Sequence, residues 1–281
     1  MSEYNFDVAK ITEEVTEWIQ KWISENGNER TKVIVGISGG KDSSVVSALM
    51  VKALGKDRVV GVMMPNGEQK DIADSRTLVS HLGIKNFTVN ISKAYEGIQR
   101  AFAESGVIEI EENAQSDKKQ QTNDSSCFLL NDSFSPVFKT NTPARLRMVT
   151  LYGIGAQIGN CRVANTCNLS EDLVGYSTFY GDAAGDFAPI NKLTTEEVVA
   201  IGDYLGLPRS LTHKAPSDGM CGKTDEDNLG FTYHEVNEIA RQNKKGENYE
   251  KIIGKYKTNL FKVKIISLPC YRPNLPLFLE I

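Results

Sequence analysis

The sequence predicts an α/β protein built on a doubly wound, mostly parallel sheet with helices on both faces. Two observations predict this class. Short apolar segments alternate with longer segments of helical periodicity, at the lengths of β-α-β units, through roughly the first hundred residues. A turn rich in glycine and serine joins the first apolar segment to the helix after it, as is typical of turns that bring backbone amides close to an anion.

The first helix is expected over residues 8–25, where apolar side chains recur at helical spacing. The elements that follow it alternate regularly and are expected as strand 31–37, helix 43–55, strand 58–64, helix 71–83, strand 86–91 and helix 92–105. Gly55 and Gly83 stand where two of these helices should end.

Residues 108–138 interrupt this order because they are polar, serine-rich and aperiodic over much of their length. They predict an insertion or flexible loop, which could be a lid, an interface element or a plain surface loop. A helix should then begin with Thr142 as N-cap and Pro143 in its first position. The remaining sequence predicts a short strand over 161–166. It also predicts helices near 195–205, 232–241 and 247–258, and an extended C-terminal arm over 265–281.

Composition narrows the class of protein. The formal net charge is −4, so the chain has no general attraction for nucleic acid or an anionic membrane surface. No apolar run approaches the roughly 20 residues of a membrane span, and the first residues lack the features of a signal peptide. Five cysteines without C-x-x-C pairs argue against disulfides or zinc, so we expect a cytoplasmic protein. All 281 residues are expected to form one domain.

The stretch "VIVGISGGKDSS" resembles a phosphate-binding turn but fails the P-loop template, because Lys41 is followed by Asp42. Glycine lets the backbone turn sharply toward an anion, and the helix that follows adds its N-terminal dipole. A carboxylate would repel bare phosphate, so Asp42 makes sense if it holds Mg²⁺, which then bridges the phosphates. The alternative is a tight turn that merely uses glycine.

In its Ser-Gly-Gly-x-Asp-Ser signature the chain resembles the ATP-pyrophosphatase superfamily, which implies an adenine nucleotide alpha hydrolase-like fold and cleavage of ATP between its α and β phosphates. Three further motifs follow in order: "NTPARLRM", "NTCNLSEDLVGYSTFYGDAAGDFAPI" and "KAPSDGMCGKTDEDNLGFTY". With "SGGKDS" they make the chain similar to the NAD synthetase family. That resemblance implies ATP-dependent amidation of deamido-NAD to NAD through a nicotinate-adenylate intermediate, and a homodimer.

The resemblance also assigns site residues position by position. The ATP contacts it implies are Gly36, Ile37, Ser38, Gly39, Gly40, Lys41, Asp42, Ser43, Thr166 and Ser217. The Mg²⁺ ligands it implies are Asp42 and Glu171, two hard oxygen ligands that suit this ion. The deamido-NAD contacts it implies are Arg145, Asp186 and Lys262. Asp182 is a candidate to orient ammonium or take its proton, or else a helix cap. Lys41 occupies the variable position of the signature and is expected to contribute least.

Three positions depart from the usual family pattern. Thr195 stands where a phosphate-contacting lysine is common, and Phe179 and Phe261 replace a lysine and a histidine that touch the dinucleotide. Lys192 or Lys214 could supply the missing charge near Thr195. These changes leave two interpretations open: a divergent enzyme, or a nucleotide-binding protein without turnover.

Ammonia is the expected nitrogen donor, because only 30 residues precede the first strand and a glutamine-hydrolysing domain needs far more. Another adenylating enzyme of the superfamily, of the amidotransferase or RNA-thiolating type, is the alternative. The acidic balance and the lack of paired cysteines argue against RNA thiolation, and the second-half motifs argue against the rest.

Overall fold

A computed structural model describes residues 4–69, 72–108, 133–214, 225–265 and 268–279. Its centre is a four-stranded sheet in the order β3-β2-β1-β4. The strands are β1 (Lys32–Gly36), β2 (Val59–Met63), β3 (Lys85–Thr88) and β4 (Cys161–Val163). Every neighbouring pair in this sheet is parallel, with Val33 opposite Val59 and Arg162, and Val60 opposite Lys85. The expected parallel architecture is confirmed.

Helices cover one face of the sheet and enclose the larger core. They are α1 (Val8–Asn26), α2 (Lys41–Leu54) and α3 (Ile72–Leu82), joined there by α7 (Thr195–Tyr204). The strands turn alternate side chains toward them, among them Val33, Val35 and Met63. Because each helix buries an apolar stripe against these side chains, helical periodicity in the sequence identified them.

The opposite face of the sheet is covered by α5 (Pro136–Ile158), which packs on the other set of strand side chains, including Ile34, Val60 and Val163, and α4 (Ser92–Glu104) packs against α5. A parallel sheet buried on both faces explains why its strands read as continuous apolar runs.

The start of α5 differs from the expectation that Thr142 and Pro143 begin the helix. Ser135 is the N-cap, its hydroxyl accepting from the Phe138 amide at 3.2 Å, and Pro143 lies inside the helix. Phe134 and Phe138 stack at 4.2 Å and contact Phe102 on α4. This aromatic contact with a distant helix fixes the earlier start, so the predicted insertion 108–138 ends too late. Residues 109–132 lie outside the described residues.

The second half adds shorter helices beside the sheet. They are α6 (Leu169–Val174), α8 (Arg209–Thr212), α9 (Asp225–Leu229), α10 (Tyr233–Gln242) and α11 (Tyr249–Ile265). Apart from α8, they share a separate apolar cluster that includes Leu173, Val236 and Ile252. None of the helices among the described residues is long and apolar enough to cross a bilayer.

The C-terminal arm lies along its own chain over its described residues, 268–279. The Ala188 amide donates to the carbonyl of Pro269, and the Phe278 amide donates to that of Ala240. Tyr271 donates its hydroxyl to Glu14 on α1. The arm therefore ties the first helix to α10.

Candidate active site

The glycine-serine turn lies between β1 and α2, at the carboxyl edge of the sheet. Gly40 is the N-cap of α2. The amide of Ser38 donates to the Ser43 hydroxyl at 3.3 Å, and the two hydroxyls lie 3.1 Å apart. The first amides of an α-helix have no partner inside it, so they and these hydroxyls are of the kind that can bind an anion. We call residues 38–44 the phosphate loop.

Gly39 holds the phosphate loop against α3. Its φ is +83°, and a Cβ built there would meet the Asp74 Cβ and the Ser75 amide nitrogen, each at 3.0 Å. Ser75 also donates its hydroxyl to the carbonyl of Ile37 at 3.3 Å. The loop is therefore supported from behind by the second β-α unit.

We expect Gly39→Ala to cost more stability than Gly55→Ala, although both glycines have nearly the same φ, +83° and +82°. A Cβ at Gly55 meets nothing within 4 Å, so only backbone strain of about 1–2 kcal/mol applies. At Gly39 the contact with α3 adds a further 1–3 kcal/mol or so. Urea unfolding of both variants measures the difference, and equal losses would contradict the close approach.

A pair of carboxylates lies at the end of the phosphate loop. Asp42 is in the first turn of α2, and Glu171 is in the first turn of α6. Asn168 connects them, because its side chain donates to Asp42 Oδ1 at 2.9 Å and accepts from the Glu171 amide at 3.1 Å. Lys41 Nζ lies 2.9 Å from Asp42 Oδ2 and 4.0 Å from Glu171 Oε1.

Negative charge is concentrated at this pair. Burial, and then the charge of Asp42, raises the pKa of Glu171 well above its usual range, and Lys41 only partly opposes them. Burial disfavours the charged form of Lys41, but Asp42 and Glu171 outweigh it and raise the pKa of that side chain. A bound divalent cation would relieve the repulsion between the two carboxylates.

The pair fits a magnesium ion of the kind that keeps water and phosphate ligands. Both carboxylates remain partly exposed, at 17% of their side-chain surface. Among the described residues no group of three or more His, Cys, Asp or Glu side chains is placed to hold a metal. Two carboxylates beside a phosphate site therefore suit an ion that arrives with a nucleotide.

An open cavity of about 370 Å³ adjoins the phosphate loop. We call it the loop-side cavity; among its lining residues are Lys41, Thr195, Lys214, His234 and Tyr233. Of the two lysines proposed to compensate for Thr195, only Lys214 lines this cavity, where it donates to Asp74 at 2.7 Å. Lys192 lines a different one.

That second cavity, of about 70 Å³, has Asp172 of α6 in its wall and is bounded by the C-terminal arm. We call it the arm-side cavity. Phe179 and Lys262 both line it, together with Asp172, Lys192 and Asn165. Burial, partly opposed by the charge of Lys192, raises the pKa of Asp172 to about 7. Two positions that the sequence associated with the dinucleotide thus meet here.

Asp182 lies next to the arm-side cavity. Its Oδ1 accepts from the Thr178 amide at 2.9 Å, and its carbonyl accepts from Asn165 at 2.8 Å. The side chain is exposed to solvent on one side, but neighbouring protein atoms displace part of its hydration shell. This loss of hydration raises the pKa of the Asp182 carboxyl group. The hydrogen bonds to Thr178 and Asn165 hold it in place within an irregular segment.

The remaining candidates are spread around this centre. Arg145 on α5 is exposed and donates to the carbonyl of Phe179 at 3.1 Å. Asp186 accepts from the Val163 amide at 2.7 Å and the Tyr152 hydroxyl at 3.0 Å. Lys262 donates to the carbonyls of Gly175 at 2.8 Å and Ser177 at 3.1 Å.

Three other sequence candidates have different positions. Thr166 is half-buried just after β4, in the segment that leads to Asn168. Phe261 is exposed on α11 and does not line the arm-side cavity. Ser217 lies outside the described residues.

Sequence reasoning missed two contributors. Asn168 links the Asp42 carboxylate to the backbone amide of Glu171, and the pattern Asn-Leu-Ser-Glu, which is typical of a helix N-terminus, could have indicated it. Lys41 was expected to contribute least, yet only 7% of it is exposed and it contacts Asp42 and lies near Glu171. No local signal predicts that burial, since Glu171 is far away in the sequence.

Comparisons with known proteins identify the family of this chain. The NAD synthase family model matches residues 11–268. An NH₃-dependent NAD⁺ synthetase of Methanocaldococcus jannaschii is 36% identical over 245 residues, 85% of this chain and 85% of that protein. The solved NMN synthetase from Francisella tularensis has a TM-score of 0.75 at 29% identity, covering 96% of this chain and 100% of that one. The NH₃-dependent NAD synthetase from Campylobacter jejuni has a TM-score of 0.63 at 27% identity, covering 94% of this chain and 99% of that one.

The family match spans both halves of the site, from α2 with its phosphate loop to α6 with Glu171. A match of this extent, together with relatives of similar length, shows that the chain belongs to the NAD synthase family.

Proposed function

We propose that this protein amidates deamido-NAD to NAD, with ATP as the activating co-substrate and ammonia as the nitrogen donor. The observation that carries the proposal is the position of two consecutive residues of α6. Glu171 lies 4.0 Å from Lys41 of the phosphate loop, and the next residue, Asp172, lines the arm-side cavity. One short helix therefore connects the phosphate loop to the wall of the arm-side cavity.

In the first step the nicotinate carboxylate attacks the α-phosphorus of ATP, and pyrophosphate leaves. The phosphate loop, together with Gly36 and Ile37 just before it, binds the polyphosphate through amides and hydroxyls, and Thr166 is a further proposed contact. Asp42 and Glu171 would hold Mg²⁺, which supplies charge neutralisation at the leaving group. Asn168 holds the Asp42 carboxylate next to the first turn of α6, because it donates to Asp42 and accepts from the Glu171 amide.

In the second step ammonia attacks the adenylated carbonyl, and AMP leaves. The attacking nitrogen must lose a proton, and we propose that Asp182 accepts it. Loss of hydration raises its pKa above the usual range of a carboxyl group, which makes it a stronger base. Arg145, Asp186 and Lys262 are the proposed contacts to deamido-NAD, two of them cationic and suited to its phosphates.

Ammonia as donor is supported by the names of the curated relatives, which are NH₃-dependent NAD⁺ synthetases. Membership of the NAD synthase family also makes an RNA-thiolating or other adenylating activity unnecessary to explain the site.

A mononucleotide is the second candidate substrate. The solved structure with the TM-score of 0.75 is an NMN synthetase, whereas the Campylobacter jejuni NAD synthetase gives 0.63. Phe179 and Phe261 also place apolar rings at positions where contacts to a dinucleotide were expected. The loss of polar side chains at these positions would weaken binding least for a substrate that lacks the adenosine half.

One assay tests both candidates. Purified protein is incubated with ATP, Mg²⁺ and ammonium, and with either deamido-NAD or nicotinate mononucleotide, while AMP and the amidated product are measured. We expect equal amounts of AMP and NAD with deamido-NAD and a lower kcat/KM with the mononucleotide. The reverse preference would establish the second candidate. ATP binding without AMP from either substrate would leave a nucleotide-binding protein without turnover.

We propose that the protein forms a homodimer through α5. Val149 and Tyr152 are 69% and 40% exposed, and they lie on the same helical face as Arg145. Large apolar side chains exposed together on one face are typical of protein interfaces. Such an interface would lie beside a proposed substrate contact.

We propose a cytoplasmic location because the described cysteines are not in disulfide bonds. Cys161, Cys167 and Cys270 are free, and Cys167 is buried. Burial raises the pKa of the Cys167 thiol well above its usual value, which disfavours the reactive thiolate. Free thiols in the core fit a reducing compartment.

A further inference from the structure

Lys41 has an unusual position for the variable residue of a phosphate-loop signature. Its ammonium lies 2.9 Å from Asp42 Oδ2 and 4.0 Å from Glu171 Oε1, between the two proposed metal ligands. The same side chain lines the loop-side cavity. It therefore lies at the boundary between the carboxylate pair and the space that the polyphosphate of ATP would enter.

Thr195, on the wall of the same cavity, offers no positive charge. Its amide donates to the Ser170 hydroxyl at 3.0 Å, and its own hydroxyl accepts from Asn237 at 3.1 Å. Both groups are used in packing α7 against α6 and α10. Lys214 contributes a cation to the cavity, but its ammonium is held by Asp74 at 2.7 Å.

The buried wall of the cavity also contains a polar group that lacks a hydrogen bond. Tyr233 is only 3% exposed, and its hydroxyl has no hydrogen-bond partner among the described residues. A buried hydroxyl without a partner is costly and needs an explanation. A ligand or a rearranged side chain in this cavity would supply the missing partner.

We propose that Lys41 is a phosphate-binding residue that takes over the role of the cation missing at Thr195, and that it leaves Asp42 for the β and γ phosphates when metal and nucleotide bind. Before binding, its ammonium offsets part of the charge of the two carboxylates. On binding, the metal takes that place and the ammonium turns to the phosphates in the loop-side cavity. The inference rests on the proposed use of ATP.

Because of this exchange, Lys41→Met should change the affinity for Mn²⁺ and the affinity for magnesium pyrophosphate in opposite directions. Without the ammonium, Asp42 and Glu171 should bind Mn²⁺ alone roughly tenfold more tightly, because the metal no longer competes with a resident cation. Magnesium pyrophosphate should bind roughly tenfold more weakly, because one phosphate contact is lost. Electron paramagnetic resonance measures free Mn²⁺, and calorimetry measures pyrophosphate binding. Weakening of both would show a merely structural role and overturn the proposal.

Matched variants complete the test. Lys52→Met removes another lysine of α2 that pairs with a carboxylate, Glu13 at 3.0 Å, and should change neither affinity. Thr195→Lys added to Lys41→Met should restore pyrophosphate binding while Mn²⁺ binding stays tight. Lys41→Gln serves if the methionine variant does not fold. No restoration by lysine at position 195 would contradict the proposed compensation.

These measurements do not need deamido-NAD or amidation. If the protein fails to make NAD but the two affinities still move in opposite directions, the proposed function falls and this inference stands. If NAD is made but the two affinities do not move in opposite directions, the proposed function stands and this inference falls.

Discussion

Asp42→Asn is expected to lower kcat by about a thousandfold or more while leaving the fold intact. The substitution keeps the shape of the side chain and an oxygen that can accept from Asn168, which donates to Asp42 Oδ1 at 2.9 Å. It removes the charge that would hold the metal at the departing pyrophosphate. Quenched-flow measurement of AMP formation separates this step from ammonia attack, and thermal unfolding checks the fold.

Glu171→Gln should have a similar effect, because the two carboxylates act on the same ion. Their effects should not add, so the double variant should be about as slow as either single one. Asp57→Asn is a control on an exposed acid next to α2 and should keep full activity. Near-normal rates for Asp42→Asn at saturating ATP would remove the metal assignment.

The largest expected loss of stability follows from a buried ion pair between α7 and α10. Arg241 and Glu197 are 3% and 1% exposed, and two nitrogens of the guanidinium meet the two carboxylate oxygens at 2.7 Å each. Glu197 also accepts from the Thr194 amide at 2.7 Å and from the Tyr4 hydroxyl at 3.2 Å. Arg241 donates to the carbonyl of Lys192 at 2.6 Å.

Arg241→Met should lower the free energy of unfolding by about 3–5 kcal/mol, because it leaves Glu197 buried without its countercharge. Urea unfolding measures the loss. Lys244→Met is the matched control, since Lys244 pairs with Glu238 at the surface and should cost about 1 kcal/mol at most. Adding Glu197→Leu to Arg241→Met should recover part of the loss, and a double variant no more stable than the single one would contradict this account.

Much of the fold could be predicted because each element of the first half carries its own periodicity. The strand and helix bounds from α1 to α4 differ from expectation by only one or two residues at most ends. The start of α5 could not be predicted in this way. Two Ser/Thr-Pro pairs compete for it, Ser135-Pro136 and Thr142-Pro143, and contacts with Phe102 on another helix decide between them.

The candidate site was predictable where a motif names its members and not where distant elements meet. Asp42 and Glu171 were paired from the resemblance, and the structure places both beside Lys41. The burial of Lys41 depends on α6, and the contact of Lys214 with Asp74 joins residues 140 positions apart. Such contacts follow from the packing of the sheet and its helices, which no local pattern encodes.

The C-terminal arm has a consequence for the timing of folding in the cell. Arg241 donates to the carbonyl of Pro276, and the Ala240 carbonyl accepts from the Phe278 amide at 3.1 Å. Tyr271 likewise reaches back to Glu14, 257 positions earlier. While the ribosome is still extending the chain, these acceptors and donors of α1 and α10 have no partner from the arm. The interior around Arg241 therefore closes only after synthesis has passed the last of these residues, even though the sheet strands emerged long before.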